Sequence, residues 1–400
     1  MKEVSREEIA HASEQYRDEL IQFCKELIST PSVNGQHSEK EIARVVAERA
    51  RKLGLPNELV ALDEARPNVI VGTNFDKKSG LLFVAHLDTV PTGDESSWKY
   101  PPFSGEIEDG KMFGRGAIDC KVGIALSIYA LKILNDLDKA DLAKFVGVVD
   151  EESGADSRLG AQYLLDKGLN AEAAIYTYPG IETVTIGHRG VVRLWIQVQG
   201  ESAHTGSKHW QEGTKGANAI EALARFINSL NEVRMEGTHT AFAGYSFKHT
   251  PTLMQGGSGE SIVPDRAKLL IDARLLPNHN NEVYIAAVRE LAKRFTTDKI
   301  RFDVAVKTNI PGIALSRDEK IVQILKQLDE QVMGVTPELQ GAGPACEGYM
   351  FVQAGIPTIC GFGAEGEGVH AANEYVKLDS LPKILEMYVR AAIELSQNKS

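Results

Sequence analysis

Five short apolar runs limit what this chain can fold into: NVIVGTN from 68, LLFVAHLD from 81, KFVGVVDEE from 144, AAIYTYPG from 173 and IPTICGFG from 356. They read as continuous apolar strands rather than alternating ones, and a strand of that kind must be covered on both faces. The stretches between them carry helical periodicity. Residues 5–29 and 38–53 read as amphipathic helices, and KVGIALSIYALKIL from 121 as a buried one. Buried strands alternating with helices predict a largely parallel, doubly covered α/β sheet.

The pattern changes near residue 188. VVRLWIQVQG alternates as a half-buried strand does, followed by a helix over 216–230, a strand AKLLIDARLL and a helix near 281–297. This is an α+β block, with strands exposed on one face and two helices on the other. Past Pro311 the first pattern returns with DEKIVQILKQLDE, IPTICGFG and the closing helix LPKILEMYVRAAIEL. At 400 residues the chain exceeds the size at which one core stops growing. The expected organisation is an α/β domain in two parts, 1–187 and 306–400, interrupted by an α+β domain over 188–305.

A net charge of −11, with no basic stripe, argues against a nucleic-acid partner. No apolar run approaches a membrane span, and the polar start lacks the apolar core of a signal peptide. Cys24, Cys120, Cys346 and Cys360 have no paired spacing, as expected of reduced thiols in a cytoplasmic protein.

The chemistry lies at the ends of the apolar runs, where open α/β sheets place their sites. His86 and Asp88 follow LLFVA, two apart and so able to face the same way. Asp119 sits in GRGAIDCKVG, between a glycine-rich turn and the buried helix, where it could also serve as a helix cap. Glu151 and Glu152 close KFVGVVDEE, and His370 follows IPTICGFG in GVHAANEYV. Each alone has an ordinary structural explanation. Together they supply nitrogen and oxygen donors for a metal, plus a spare carboxylate for proton transfer.

In this order, HLDTVP, GRGAIDCKVG, DEESG and GVHAANE resemble the metallohydrolase family of acetylornithine deacetylase, succinyl-diaminopimelate desuccinylase and carboxypeptidase G, over essentially the whole chain. The resemblance implies a catalytic α/β domain of the zinc-hydrolase type with an inserted lid and dimerisation domain, a four-stranded antiparallel sheet with two helices. It implies two metals: His86 on one, Glu152 and His370 on the other, and Asp119 bridging both. Zinc suits such a shell, with cobalt or manganese as alternatives. Asp88 would orient His86, and Glu151 would be the general base toward a metal-bound water. A cis peptide is implied at Asp119–Cys120. In the inserted domain, His204 would stabilise an oxyanion and Arg274 would grip a substrate carboxylate. The implied reaction is hydrolysis of an amide or peptide bond near a free carboxylate, in short peptides or N-acyl amino acids, by a homodimer.

Two positions depart from the family pattern. Tyr178 stands where the first metal's remaining carboxylate belongs. A weakened first site is the expectation; phenolate ligation by Tyr178 and substitution by Glu182 are the alternatives, and a relative with impaired or absent activity is the competing reading. Ser261 replaces a usual asparagine of the lid, which points to an altered substrate.

Overall fold

The computed structural model describes residues 4–72, 78–154 and 158–397. The chain divides into two compact units, one formed by residues 1–187, 314–342 and 346–400, the other by 188–313 and 343–345.

The first unit is built on a six-stranded mixed sheet. Its spatial order is Asn57–Val60, Asn68–Val71, Ala143–Val148, Ser79–His86, Ala171–Tyr176 and Thr358–Ile359. The last four run parallel, and the first two add an antiparallel edge. Ser79–His86 lies in the middle of the sheet, and every residue in it except Gly80 is buried. That is why its sequence is apolar without alternation. The helix Val122–Asp136 packs against this strand and against Leu381–Gln397, which also meets Lys320–Val332. Phe83 stacks on Tyr388 with ring centroids 4.8 Å apart, joining strand to closing helix. A smaller antiparallel sheet pairs Gly366–Glu367, Tyr375–Lys377, Lys111–Phe113 and Glu106–Glu108.

The single helix expected over 5–29 is two, Arg6–Gln15 and Arg17–Ile28. The break falls at Tyr16, whose hydroxyl donates to Asp136 at 2.7 Å and whose ring meets Tyr129.

The second unit is a four-stranded antiparallel sheet in the order Lys248–Gly256, Arg266–Leu275, Gly190–Gln199 and Arg301–Ile310. Val192, Leu194, Ile196 and Val198 alternate into one core, closed by Leu223 and Phe226 of the helix Ala219–Ser229 and by Tyr284 and Val288 of Asn281–Arg294. This unit runs to Ile313 rather than to 305. The strand Arg301–Ile310 pairs with Gly190–Gln199 along its whole length, so a boundary at 305 would cut through it.

Candidate metal and catalytic site

Six side chains of the first unit converge beyond the ends of its parallel strands. His86 is the last residue of Ser79–His86 and is fully buried. Its Nδ1 lies 2.8 Å from the carbonyl oxygen of Asp88, which can only accept. Nδ1 therefore carries a proton, and Nε2 faces Asp119 Oδ1 at 3.0 Å. Burial alone would lower this imidazole, but Cys120 and the hydrogen bond to Asp119 hold it well above its ordinary range, so Nε2 donates as well. His370 Nε2 lies 3.2 Å from Asp119 Oδ2 and 3.2 Å from Glu152 Oε1. The two oxygens of Asp119 are thus divided between two histidines.

Asp119 reaches this position through an irregular turn. The helical path is broken at Asp119 and Cys120, and their peptide is cis. Asp119 caps no helix: Val122–Asp136 starts without a side-chain cap. Gly116, at φ +82°, starts the turn, and a Cβ there would meet Thr89 Cγ2 at 2.8 Å. The turn is held by Glu374, a buried carboxylate. It accepts from the N–H of Gly116, Ile118 and Asp119 at 3.0, 2.9 and 3.1 Å, and from Arg115 at 2.6 Å. Glu374 belongs to the GVHAANE motif but was given no role from sequence; an acid four residues after a candidate ligand, against an arginine in GRG, was the available signal.

Glu151 and Glu152 lie on a turn after Ala143–Val148, entered through Asp150 at φ +66°. Their backbone N–H groups donate to Asp88 at 3.2 and 2.9 Å. The expected carboxylate–imidazole bond between Asp88 and His86 is not formed, since Oδ1 and Nδ1 are 3.9 Å apart. The Asp88 carboxylate instead holds the Glu151–Glu152 turn and accepts from Asn34 Nδ2 at 2.6 Å. Asn34, also bonded to Asp150, was missed because it lies on a different loop, 54 residues from Asp88.

Tyr178 turns its hydroxyl to Glu151 Oε1 at 2.9 Å. Burial first, then the charge of Glu151, pushes this phenol well above its ordinary range, so it stands as a neutral donor. Its ring stacks on Tyr176 at 4.6 Å and is tilted against His86 at 5.6 Å. Glu182 is exposed and outside the cluster. His204, Ser261 and Arg274 belong to the second unit. His204 and Ser261 are exposed there. Arg274 is bonded to Asp272, which also takes Arg193.

Charge is tightly balanced around the cluster. Burial pushes Glu151 up to about 8; His86 opposes this, and Glu152 adds to it. Burial would also raise Asp119, but hydrogen bonds from His370 and His86 outweigh it and hold the group well below the carboxylate range. The same bonds to Asp119 and Glu152 lift His370 to about 10.

The donor set fits a divalent metal. Donor atoms of Asp119, Glu152 and His370 lie within 4.8 Å of one another, as do those of His86, Glu151 and Glu152. His86 Nε2 and His370 Nε2 each face an oxygen of Asp119, so a cation that took the place of their protons would find imidazole nitrogens and carboxylate oxygens around it.

The model of Peptidase family M20/M25/M40 matches residues 82–394. Succinyl-diaminopimelate desuccinylase of Rickettsia felis is 26% identical over 94% of this chain and 99% of its own. An uncharacterized metallohydrolase of Methanocaldococcus jannaschii is 26% identical over 93% and 98%. Among solved structures, the M20 family metallo-carboxypeptidase Sso-CP2 from Sulfolobus solfataricus has the same fold, with a TM-score of 0.76 at 20% identity over 94% of this chain and 99% of that one. The chain belongs to peptidase family M20/M25/M40 and is a metallohydrolase.

Proposed function

We propose that this chain hydrolyses an amide or peptide bond near a free carboxylate, in short peptides or N-acyl amino acids, with Glu151 as general base. The observation that carries this reading is the Asp119 carboxylate shared between His86 and His370, with Glu151 alongside.

His86 and Asp119 would hold one metal, and Asp119, Glu152 and His370 a second, zinc being the expected ion. Bound there, such a metal acidifies water and polarises the scissile carbonyl. The rest falls to the chain's own side chains. Asp88 fixes the backbone of Glu151 and Glu152 together, and its carbonyl sets the tautomer of His86. Glu151, a buried carboxylate with raised proton affinity, takes the proton of the attacking water and returns it to the leaving amine. In the second unit, Arg193 and Arg274 share the single carboxylate of Asp272. The surplus positive charge supports Arg274 as the holder of a substrate carboxylate. His204 is the proposed oxyanion donor, and Ser261 a substrate contact.

The exposed edge strand Lys248–Gly256, with Leu253 and Met254 outward, supports a homodimer through this unit. Four free, buried cysteines accord with a cytoplasmic location. No helix among the described residues is long and apolar enough to cross a membrane.

A second reading rests on Tyr178, which gives the His86 side a phenol where a carboxylate was expected: the first site binds weakly and activity is altered or absent. Counting zinc per chain, alongside a hydrolysis screen of N-acetyl amino acids, N-succinyl amino acids and dipeptides, separates the two. Turnover abolished by Glu151→Ala is the expected result, and close to two zinc ions per chain would overturn the weakened first site. Full activity in Glu151→Ala overturns the mechanism, and absence of any bound metal overturns the metal-dependent reading.

A further inference from the structure

Tyr178 has a more specific place than a missing ligand. Among the described residues, its hydroxyl is the hydrogen-bond donor that reaches the Glu151 carboxylate, and it takes Oε1 at 2.9 Å. A carboxylate on a short turn can rotate about its last bond, and one fixed donor is enough to choose an orientation. With Oε1 occupied, Oε2 is left to receive a proton.

The donor is itself held by two neighbouring rings. The Tyr178 ring lies almost parallel to Tyr176, with an interplanar angle of 8°, and is tilted against His86 with ring centroids 5.6 Å apart. Tyr176 is fully buried, and its hydroxyl donates to Glu347 Oε2 at 2.9 Å. Glu347 is buried as well, and its Oε1 has no hydrogen-bond partner among the described residues. Burial pushes this carboxyl well above its ordinary range, and the one side-chain hydrogen bond it forms among the described residues is the tether of Tyr176. The line Glu347, Tyr176, Tyr178, Glu151 therefore runs from the interior to the proposed base through two hydrogen bonds and one ring stack.

We propose that Tyr178 is a positioning residue for Glu151: its O–H holds Oε1 and aims Oε2 at the reacting proton, and it does so without ligating a metal. The inference rests on the reading of Glu151 as general base. It also explains how a tyrosine at this position is compatible with turnover, because the residue contributes to placing the base.

The test is Tyr178→Phe, which keeps the ring and the stack and removes the donor. It is assayed on the best-cleaved member of the N-acyl amino acid and dipeptide panel, with zinc per chain counted after reconstitution. Expected are a kcat lowered at least about tenfold and a KM within about twofold of the parent, with zinc per chain unchanged. Tyr176→Phe, which cuts the tether but leaves the Tyr178 donor, is expected to lower kcat less. A Tyr178→Phe enzyme with parental kcat overturns the proposal, as does one that loses an equivalent of zinc, which would make the phenol a ligand. Glu151→Gln is run in parallel. If it retains parental turnover, the general-base reading itself fails; if it is inactive while Tyr178→Phe is fully active, the assignment of Tyr178 alone fails.

Discussion

Glu374 accepts the backbone N–H of Asp119 at 3.1 Å, across 255 residues of sequence. The same carboxylate accepts from Gly116, Ile118 and Arg115, so one buried side chain sets the path of the turn that presents Asp119. Glu374→Gln keeps the shape but removes the charge opposite a buried guanidinium. We expect a loss of roughly 3 kcal/mol in unfolding free energy by denaturant titration, and zinc affinity weakened about 10- to 100-fold. Unchanged affinity would mean that the turn holds its shape without this clamp.

Asp88 receives three donors: Asn34 Nδ2 and the N–H groups of Glu151 and Glu152. Asp88→Asn turns one oxygen into an N–H₂ that must face another donor. Turnover should fall about 10- to 100-fold while far-ultraviolet dichroism stays as in the parent. Parental kcat in this variant would show that the turn carrying the two glutamates needs no such support.

Metal removal should be visible in stability as well as in activity. The cluster brings carboxylates and imidazoles together in a largely buried place, so a bound cation stabilises the folded state. At zinc a hundredfold above Kd the stabilisation is about 2.7 kcal/mol. Chelation should lower Tm, and added zinc should restore it. In His370→Ala the zinc-dependent rise should shrink, because this histidine faces both Asp119 and Glu152. A zinc response of parental size would exclude His370 as a ligand.

Asp329 offers a pH test remote from the cluster. It lies 1% exposed on the helix Lys320–Val332, neither carboxylate oxygen has a hydrogen-bond partner among the described residues, and burial, aided by Glu182 and Glu330, raises its pKa from 3.8 to about 7. The folded chain thus keeps a proton that the unfolded chain gives up. This contribution to stability is complete below about pH 4 and is lost as pH climbs through 7. Asp329→Asn abolishes the titration. At pH 8.5, a value chosen above the raised pKa, the variant should exceed the parent by roughly 3 kcal/mol, and at pH 4.5 by much less. An equal difference at both pH values would assign the effect to packing.

Most of the sheet was legible because five of its six strands are buried on both faces, and the apolar runs ending at His86 and Val148 could hardly be anything else. The edge strand Asn57–Val60, with no buried residue, left no such mark. Helix ends were less so: nothing in the local pattern around Tyr16 reveals that its hydroxyl is drawn to Asp136, 120 residues on. The strand Arg301–Ile310 was cut at 305 because its exposed face breaks the apolar periodicity that marks a strand. In the candidate site, residue types and their order were readable, but partners were not. Which atom of Asp88 meets His86, what Tyr178 touches and what Glu374 holds are matters of tertiary geometry, set by loops that meet only in the folded chain.

The turn after Ala143–Val148 places the proposed base and a proposed ligand on consecutive residues, both with their N–H groups on Asp88. Glu151 and Glu152 cannot then be moved independently: any displacement of that turn would misplace proton transfer and loosen the metal at once. Such an arrangement works as a safeguard against half-assembled states, since a chain that has not seated this turn has neither the base nor the full ligand set with which to attack a bond.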